Sequence, residues 1–98
     1  MAKHIYQLRI EYFPIGAQIR RRRMTRQIET TPREALRQAA KAVRDGRGAV
    51  DSAVIIDGLI PVVRCQYSIR GQKPTRRVER SWARCSIDPI FKRQLKEH

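Results

Sequence analysis

The sequence predicts an α+β fold, a small two-layer domain in which a main helix packs on one face of an antiparallel sheet. Three patterns support this prediction. Residues 4–13 alternate between polar and apolar side chains, residues 31–46 repeat apolar side chains at helical spacing, and Asp57-Gly58 separates two apolar runs as a β-hairpin turn does. A length of 98 residues, of which 41% are hydrophobic, predicts a single domain over residues 1–98.

The first two elements are predicted to be strands that form a hairpin. Residues 4–13 place four apolar side chains on one face: Tyr6, Leu8, Ile10 and Tyr12. A proline and a glycine then permit a turn into a second strand over residues 18–29. A helix is the alternative for this segment, because Ile15, Ile19 and Arg23 have i, i+4 spacing. Its β-branched residues and the lack of an N-cap favour the strand.

The main helix has a clear start signal. Thr31 at the N-cap position and Glu34 three residues later form a capping box, and Pro32 fits the first helical position. A buried stripe is predicted from four residues: Leu36, Ala39, Ala40 and Val43. Gly46 is predicted to end the helix in a left-handed conformation.

A three-strand meander and a short C-terminal helix are predicted to follow. The strands are expected at residues 53–56, 59–69 and 76–87, and Asp88-Pro89 begins the helix. Pro61 lacks an N–H group, so its end of the second strand lies on an edge or at a bulge. The second strand is expected to point Val63, Cys65, Tyr67 and Ile69 inward and Arg64, Gln66 and Ser68 outward.

Charge is the most unusual property of the chain. Lys and Arg number 22 against 9 Asp and Glu, giving a formal net charge of +13, and 17 of the 22 basic residues are arginines. A GC-rich genome would explain the preference for Arg over Lys, but it leaves the excess of positive charge unexplained. Such an excess indicates a polyanionic partner, and guanidinium groups suit phosphate recognition.

The first basic patch lies on the second predicted strand and consists of Arg20, Arg21, Arg22, Arg23 and Arg26. Side chains alternate along a strand, so Arg20, Arg22 and Arg26 point one way while Arg21 and Arg23 point the other. Adjacent arginines cannot all belong to a central strand, so the segment is an edge strand, a hairpin tip that projects past the sheet, or an arm that becomes ordered only on binding. Protection of that edge against aggregation is the alternative reading.

A second basic patch surrounds the last strand and consists of Arg70, Lys73, Arg76, Arg77, Arg80, Trp82 and Arg84. Trp82 is either a base-stacking surface residue or the core tryptophan, since Cys85 and its apolar neighbours compete as the inward face. The main helix carries a secondary basic stripe: Arg33, Arg37, Lys41 and Arg44. This stripe is either a solvated flank or a second row facing phosphates.

These patches predict a small nucleic-acid-binding accessory protein that grips the phosphate backbone with little base specificity. The chain contains no Asn, which leaves Gln18, Gln27 and Gln72 as candidate base readers. DNA is favoured over RNA because few aromatic side chains are available for stacking. If the two patches join, contacts with about six phosphates give a log–log salt dependence near −5 on duplex DNA.

Other function classes find little support. No carboxylate pair has the spacing of a metal or acid–base site, the two histidines lie near the termini, and phosphate-loop motifs are absent, so no catalysis, metal or cofactor is expected. Residues 1–13 lack a signal-like apolar stretch, and no segment could span a membrane. A cytoplasmic location is therefore expected, with Cys65 and Cys85 as reduced thiols in small apolar sites.

The alternative is a protein-interaction module or inhibitor, for example an anti-CRISPR protein from a mobile element. In that case the arginines would dock on an acidic protein surface or on a nucleoprotein complex. Edge strands and the modest length of the chain also admit a homodimer, which would double the phosphate footprint.

Overall fold

The computed structural model describes residues 3–12, 22–46, 49–69 and 81–97. They form β1 (His4–Tyr12), β2 (Arg22–Thr30), α1 (Pro32–Gly46), β3 (Val50–Asp57), β4 (Ile60–Ile69), β5 (Ser81–Ile87) and α2 (Pro89–Glu97). The strands make one antiparallel sheet in the order β2-β1-β3-β4-β5, and α1 packs on it, which confirms the predicted α+β fold. No helix in these ranges is long and apolar enough to cross a membrane.

Apolar side chains from one face of the sheet and from both helices form the core. β1 contributes Tyr6, Leu8 and Ile10, because the alternation of its sequence places them on the same side. Phe91 of α2 is fully buried and meets the Tyr6 ring edge-on, with ring centroids 5.9 Å apart. The central strands and α1 complete this cluster with Ala35, Ala39, Val43, Ala53, Ile55, Val62, Val63 and Cys65.

Both helices begin where their capping residues predict. The Glu34 amide donates a hydrogen bond to Thr31 Oγ1 at 3.3 Å, and Pro32 is the first residue of α1. The Ile90 amide donates to Asp88 Oδ1 at 2.9 Å, which caps α2 in the same manner. These local bonds satisfy amides that have no partner within the helix.

Some details of α1 differ from the prediction. Ala35 is fully buried whereas Leu36 is only half-buried, so the inward stripe is rotated by one residue. The backbone of Gly46 is not left-handed. Glycine is required there for space, because a Cβ atom at this position would lie 2.6 Å from the Cβ atom of Val50. The prediction of a left-handed stop was therefore wrong, and close packing against β3 is the physical reason.

The β3–β4 connection is the hairpin that the sequence predicts, displaced by one residue. Asp57 is the last residue of β3, and Gly58 and Leu59 form the turn. Gly58 has φ of 64°, the left-handed value that favours glycine. Pro61 faces Ile56 at a register shift between β3 and β4, so it lies at a bulge inside the sheet.

The two cysteines correct another expectation. Cys65 on β4 and Cys85 on β5 face each other directly, with Cα atoms 4.0 Å apart, and form a disulfide. The prediction of reduced thiols was wrong: antiparallel register brings the two side chains together on the same face of the sheet. The bond fastens the edge strand β5 to the interior of the sheet.

Candidate nucleic-acid interface

The face of the sheet turned away from α1 and α2, here called the open face, carries most of the strand residues that do not contribute to the core. Directly opposed residues in an antiparallel sheet point to the same side, so the register of the strands defines rows of neighbours. One row runs Arg23, Glu11, Ser52, Gln66, Arg84, and the next runs Thr25, Arg9, Val54, Arg64, Ser86. The core residues occupy the opposite side.

Four arginines on these two rows, here called the open-face quartet, form the candidate site: Arg9, Arg23, Arg64 and Arg84. β2 and β5 lie at opposite edges of the sheet, so the two sequence patches are not on neighbouring strands. The condition under which the two patches would form one surface, neighbouring strands, is therefore not met. Instead, Arg23 and Arg84 share a row, and Arg9 and Arg64 lie in the space between them.

Sequence reasoning missed Arg9 and Arg64 as site residues. It pointed Arg64 outward, and Arg9 occupies a polar position in the alternation of the first strand, but charge runs were treated as the signal and both arginines are isolated in sequence. The available clue was that both arginines alternate with core residues of their own strands and so point to the other side of the sheet. Knowledge of the strand order is needed to see that one surface holds them together with Arg23 and Arg84.

The spacing of the quartet suits a long polyanion. Adjacent strands lie about 4.8 Å apart, so Arg23 and Arg84, separated by four strand spacings, span about 19 Å. Arg9 and Arg64 are two strands apart, or about 10 Å. An extended charge distribution of this size matches several backbone phosphates better than one small anion.

Most of the quartet is free to bind. Arg64 and Arg84 are exposed, and no carboxylate pairs with either of them in the described part of the chain. Arg23 Nη2 lies 3.4 Å from Glu11 Oε1, but this exposed pair contributes little stability and does not occupy the whole guanidinium. Arg9 is half-buried, and its Nε has no hydrogen-bond partner among the described residues.

Uncharged polar side chains surround the quartet. Gln27 and Gln66 lie on the open face, and both are exposed. No aromatic side chain that the structure describes occupies this face, so the visible surface offers hydrogen bonds and charge rather than base stacking. A groove of about 290 Å³ borders it at the start of β4 and the end of β5, where Arg64, Ser86 and Asp88 are among the lining residues.

The rest of the first patch divides between the two sides of the sheet. Arg22 faces Tyr12 and Arg26 faces Leu8, so both point to the helix side, while Arg23 points to the open face. This confirms the predicted alternation and the edge position of β2. It also shows that Arg22 and Arg26 do not share the surface of the quartet.

The secondary stripe is separated from the open face. All four of its residues are exposed on α1, and α1 packs on the other side of the sheet: Arg33, Arg37, Lys41 and Arg44. Arg37 makes an i, i+3 ion pair with Glu34, at 3.1 Å between Arg37 Nε and Glu34 Oε2. A polyanion lying on the open face would therefore not contact this stripe.

Several predicted site residues lie outside the described residues: Arg20, Arg21, Arg70, Lys73, Arg76, Arg77 and Arg80. For Trp82 the structure describes the backbone only, which lies within β5 and pairs with Ser68 of β4. The described strands lead into segments 13–21 and 70–80 at one end of the sheet, because β1 and β4 both run toward it.

A polar network joins β1, the end of β3 and α2 on the covered side. His4 Nε2 lies 2.8 Å from Asp57 Oδ1, Gln94 Nε2 donates to Asp57 Oδ2 at 3.1 Å, and the Tyr6 hydroxyl donates to Gln94 Oε1 at 2.6 Å. Burial, and secondarily the negative charge of Asp57, raises the pKa of Tyr6 to about 12.

The Asp57 carboxylate is held in its charged form by the same network. Burial raises its pKa, but the hydrogen bonds from His4 and Gln94 and the charge of His4 outweigh burial, so the net pKa lies below its ordinary value. At neutral pH the neutral Tyr6 hydroxyl donates a hydrogen bond to the Gln94 amide, which in turn donates one to the ionised Asp57 carboxylate. The network therefore stabilises the contact between α2 and the sheet.

Among the described residues, no three His, Cys, Asp or Glu side chains lie close enough together to hold a metal ion. Comparison with protein-family models, curated proteins and solved structures finds no match for this chain. The geometry and charge of the open face are therefore the basis for a functional assignment.

Proposed function

We propose that the protein binds nucleic acid through the phosphate backbone, with the open-face quartet as its central contact and without a catalytic step. One observation carries the proposal. Arg23 and Arg84, which come from separate basic segments, lie in one row of the sheet, and Arg9 and Arg64 lie in the adjacent row on strands between theirs. Neutralising phosphates releases condensed counterions, and guanidinium groups form paired hydrogen bonds with phosphate oxygens.

The charge of the neighbouring segments supports the same partner. β1 and β4 finish at the same end of the sheet, and the segments that follow them in sequence, 13–21 and 70–80, contain seven of the proposed contact residues: Arg20, Arg21, Arg70, Lys73, Arg76, Arg77 and Arg80. The quartet lies on the strands that lead into them. We infer that these segments extend the phosphate contacts beyond the quartet.

Duplex DNA is the preferred ligand. The described side chains of the open face offer arginines, glutamines and hydroxyl groups but no aromatic ring, so they favour backbone contacts over the stacking on which single-strand recognition depends. Phosphate contacts fix a protein on DNA without reading its sequence. We therefore expect similar affinity for duplexes of different sequence.

A protein partner is the second candidate, and a specific feature favours it. Leu59 at the β3–β4 turn is 97% exposed, and the adjacent Ile60 is 50% exposed. Exposed apolar side chains together with arginines are common at protein interfaces. An inhibitor of a nucleoprotein complex would place this turn on protein and its arginines on acidic groups.

Equilibrium binding of purified, nuclease-treated protein to random-sequence duplex DNA tests the proposal. Arg64→Gln/Arg84→Gln removes two exposed quartet charges, and Arg33→Gln/Lys41→Gln removes two exposed charges on α1. We expect the first variant to lose most of the affinity and the second to retain nearly all of it. Equal losses would contradict the open face as the binding site, and no binding by the wild-type protein at moderate salt would contradict the proposal and favour the protein partner.

A further inference from the structure

The outer edge of β2 has no strand beside it among the described residues. Within those ranges β2 pairs with β1 alone, and all nine residues of β2 are exposed or half-buried. The backbone groups along such an edge are a template for another strand. Arg22, Arg23 and Arg26 discourage indiscriminate pairing, but the same strand also carries an acidic residue, Glu29.

We propose that β2 pairs antiparallel with β2 of a second copy of this chain, around a two-fold axis at Arg26. Arg26 is the middle residue of Arg22–Thr30, so this register pairs every residue of the strand. The two five-stranded sheets would then join edge to edge into one continuous sheet. This proposal does not depend on the proposed nucleic-acid binding.

The register is self-complementary in charge. It places Arg23 of each copy opposite Glu29 of the other, and both side chains point to the open face, as their β1 partners Glu11 and Ile5 show. Glu29 makes no ion pair with any described residue in the single chain. Opposite charges directly across a strand pair are stabilising, and the two-fold axis forms this pair twice.

Apolar and polar side chains also match across the axis. On the helix side, Met24, which is 45% exposed, faces the half-buried Ile28 of the second copy. On the open face, Thr25 faces Gln27. The Arg26 side chains of the two copies face each other on the axis, and this is the single like-charge pair of the register.

Geometry excludes any nearby register that pairs as many residues of the two β2 strands. In a continuous sheet, facing residues must point to the same side, so the axis passes through a residue rather than between two residues. Moving it to Thr25 or Gln27 shortens the paired segment and separates Arg23 from Glu29. Only the axis at Arg26 combines full pairing with the salt bridges.

Electrostatics predicts how this dimer responds to salt. Each chain has a formal net charge of +13, so long-range repulsion opposes association. Salt screens distant charges more effectively than pairs in direct contact. Dimerisation should therefore strengthen as ionic strength rises from a low value, whereas binding to DNA weakens over the same range.

Sedimentation equilibrium of nuclease-treated protein at moderate salt tests the proposal. We expect a reversible wild-type dimer, a Glu29→Arg variant whose dissociation constant is raised about tenfold or more because two attractions become repulsions, and recovery in Arg23→Glu/Glu29→Arg. Glu97→Arg, a matched charge reversal on α2, should leave the dimer unchanged, and circular dichroism verifies that each variant is folded.

Three results would overturn this interface. They are a monomeric wild-type protein at all concentrations reached, a Glu29→Arg dimer as tight as that of the wild type, and a double variant no tighter than Glu29→Arg alone. A failure of DNA binding would leave the dimer prediction intact, because the sedimentation experiment contains no nucleic acid.

Discussion

Arg9 and Arg64 lie on either side of Val54 on the open face, one on β1 and the other on β4. Val54 lies on the side of the sheet that is turned away from α1 and α2, yet it is only 1% exposed. Long arginine side chains can cover apolar surface with their methylene groups while the guanidinium stays near water. The two arginines therefore shield the central strand and at the same time present charge to a ligand.

This dual role predicts different effects for two substitutions at Arg9. Arg9→Met keeps an apolar cover over Val54 and removes the charge, so it should weaken DNA binding with little change in the free energy of unfolding. Arg9→Ala removes both, and should also lower the free energy of unfolding by about 1 kcal/mol. Urea denaturation and DNA-binding titrations of the two variants measure the two effects separately. Equal stability of the variants would argue against the shielding role.

The disulfide between Cys65 and Cys85 should contribute substantially to stability. The cysteines are 20 residues apart in sequence, and closing a loop of that length stabilises a fold by about 3 kcal/mol. Reductant should lower the free energy of unfolding of the wild-type protein by about that amount. Cys85→Ala should be similarly destabilised and insensitive to reductant, and a wild-type protein whose denaturation curve ignores reductant would contradict this prediction.

Tyr6 should make stability depend on alkaline pH. Its pKa is raised to about 12 in the folded protein from an ordinary value of 10.0, so the unfolded chain releases this proton first as pH rises. The contribution of Tyr6 is complete below pH 10 and is lost as pH rises toward 12. Tyr6→Phe should be less stable at neutral pH and should show a flatter decline in this window than the wild type.

Local elements followed from the sequence because their causes are local. Thr31 and Glu34 define the start of α1, and the alternation of Tyr6, Leu8 and Ile10 defines the buried face of β1. These features depend on neighbouring residues in the chain. The buried alternation of β1 also agrees with its position inside the sheet.

Strand order and side-chain partners could not be derived in the same way. Pairing of consecutive strands places β1 beside β2, β3 beside β4 and β4 beside β5, but the contact between β1 and β3 joins residues far apart in sequence. That contact places β2 and β5 at opposite edges and brings Arg9 and Arg64 between the two basic patches. The pairing of Cys65 with Cys85 likewise depends on the β4–β5 register, and that register could not be derived from the sequence alone.

The salt dependence of duplex DNA binding tests the central claim most directly. Each phosphate contact on duplex DNA contributes about 0.9 to the log–log slope, so Arg64→Gln/Arg84→Gln should reduce the magnitude of the slope by about 1.8. Arg33→Gln/Lys41→Gln, with the same change in net charge, should leave the wild-type slope nearly unchanged. An equal reduction in both variants would show that net charge alone governs binding and would contradict a phosphate-binding role for the open face.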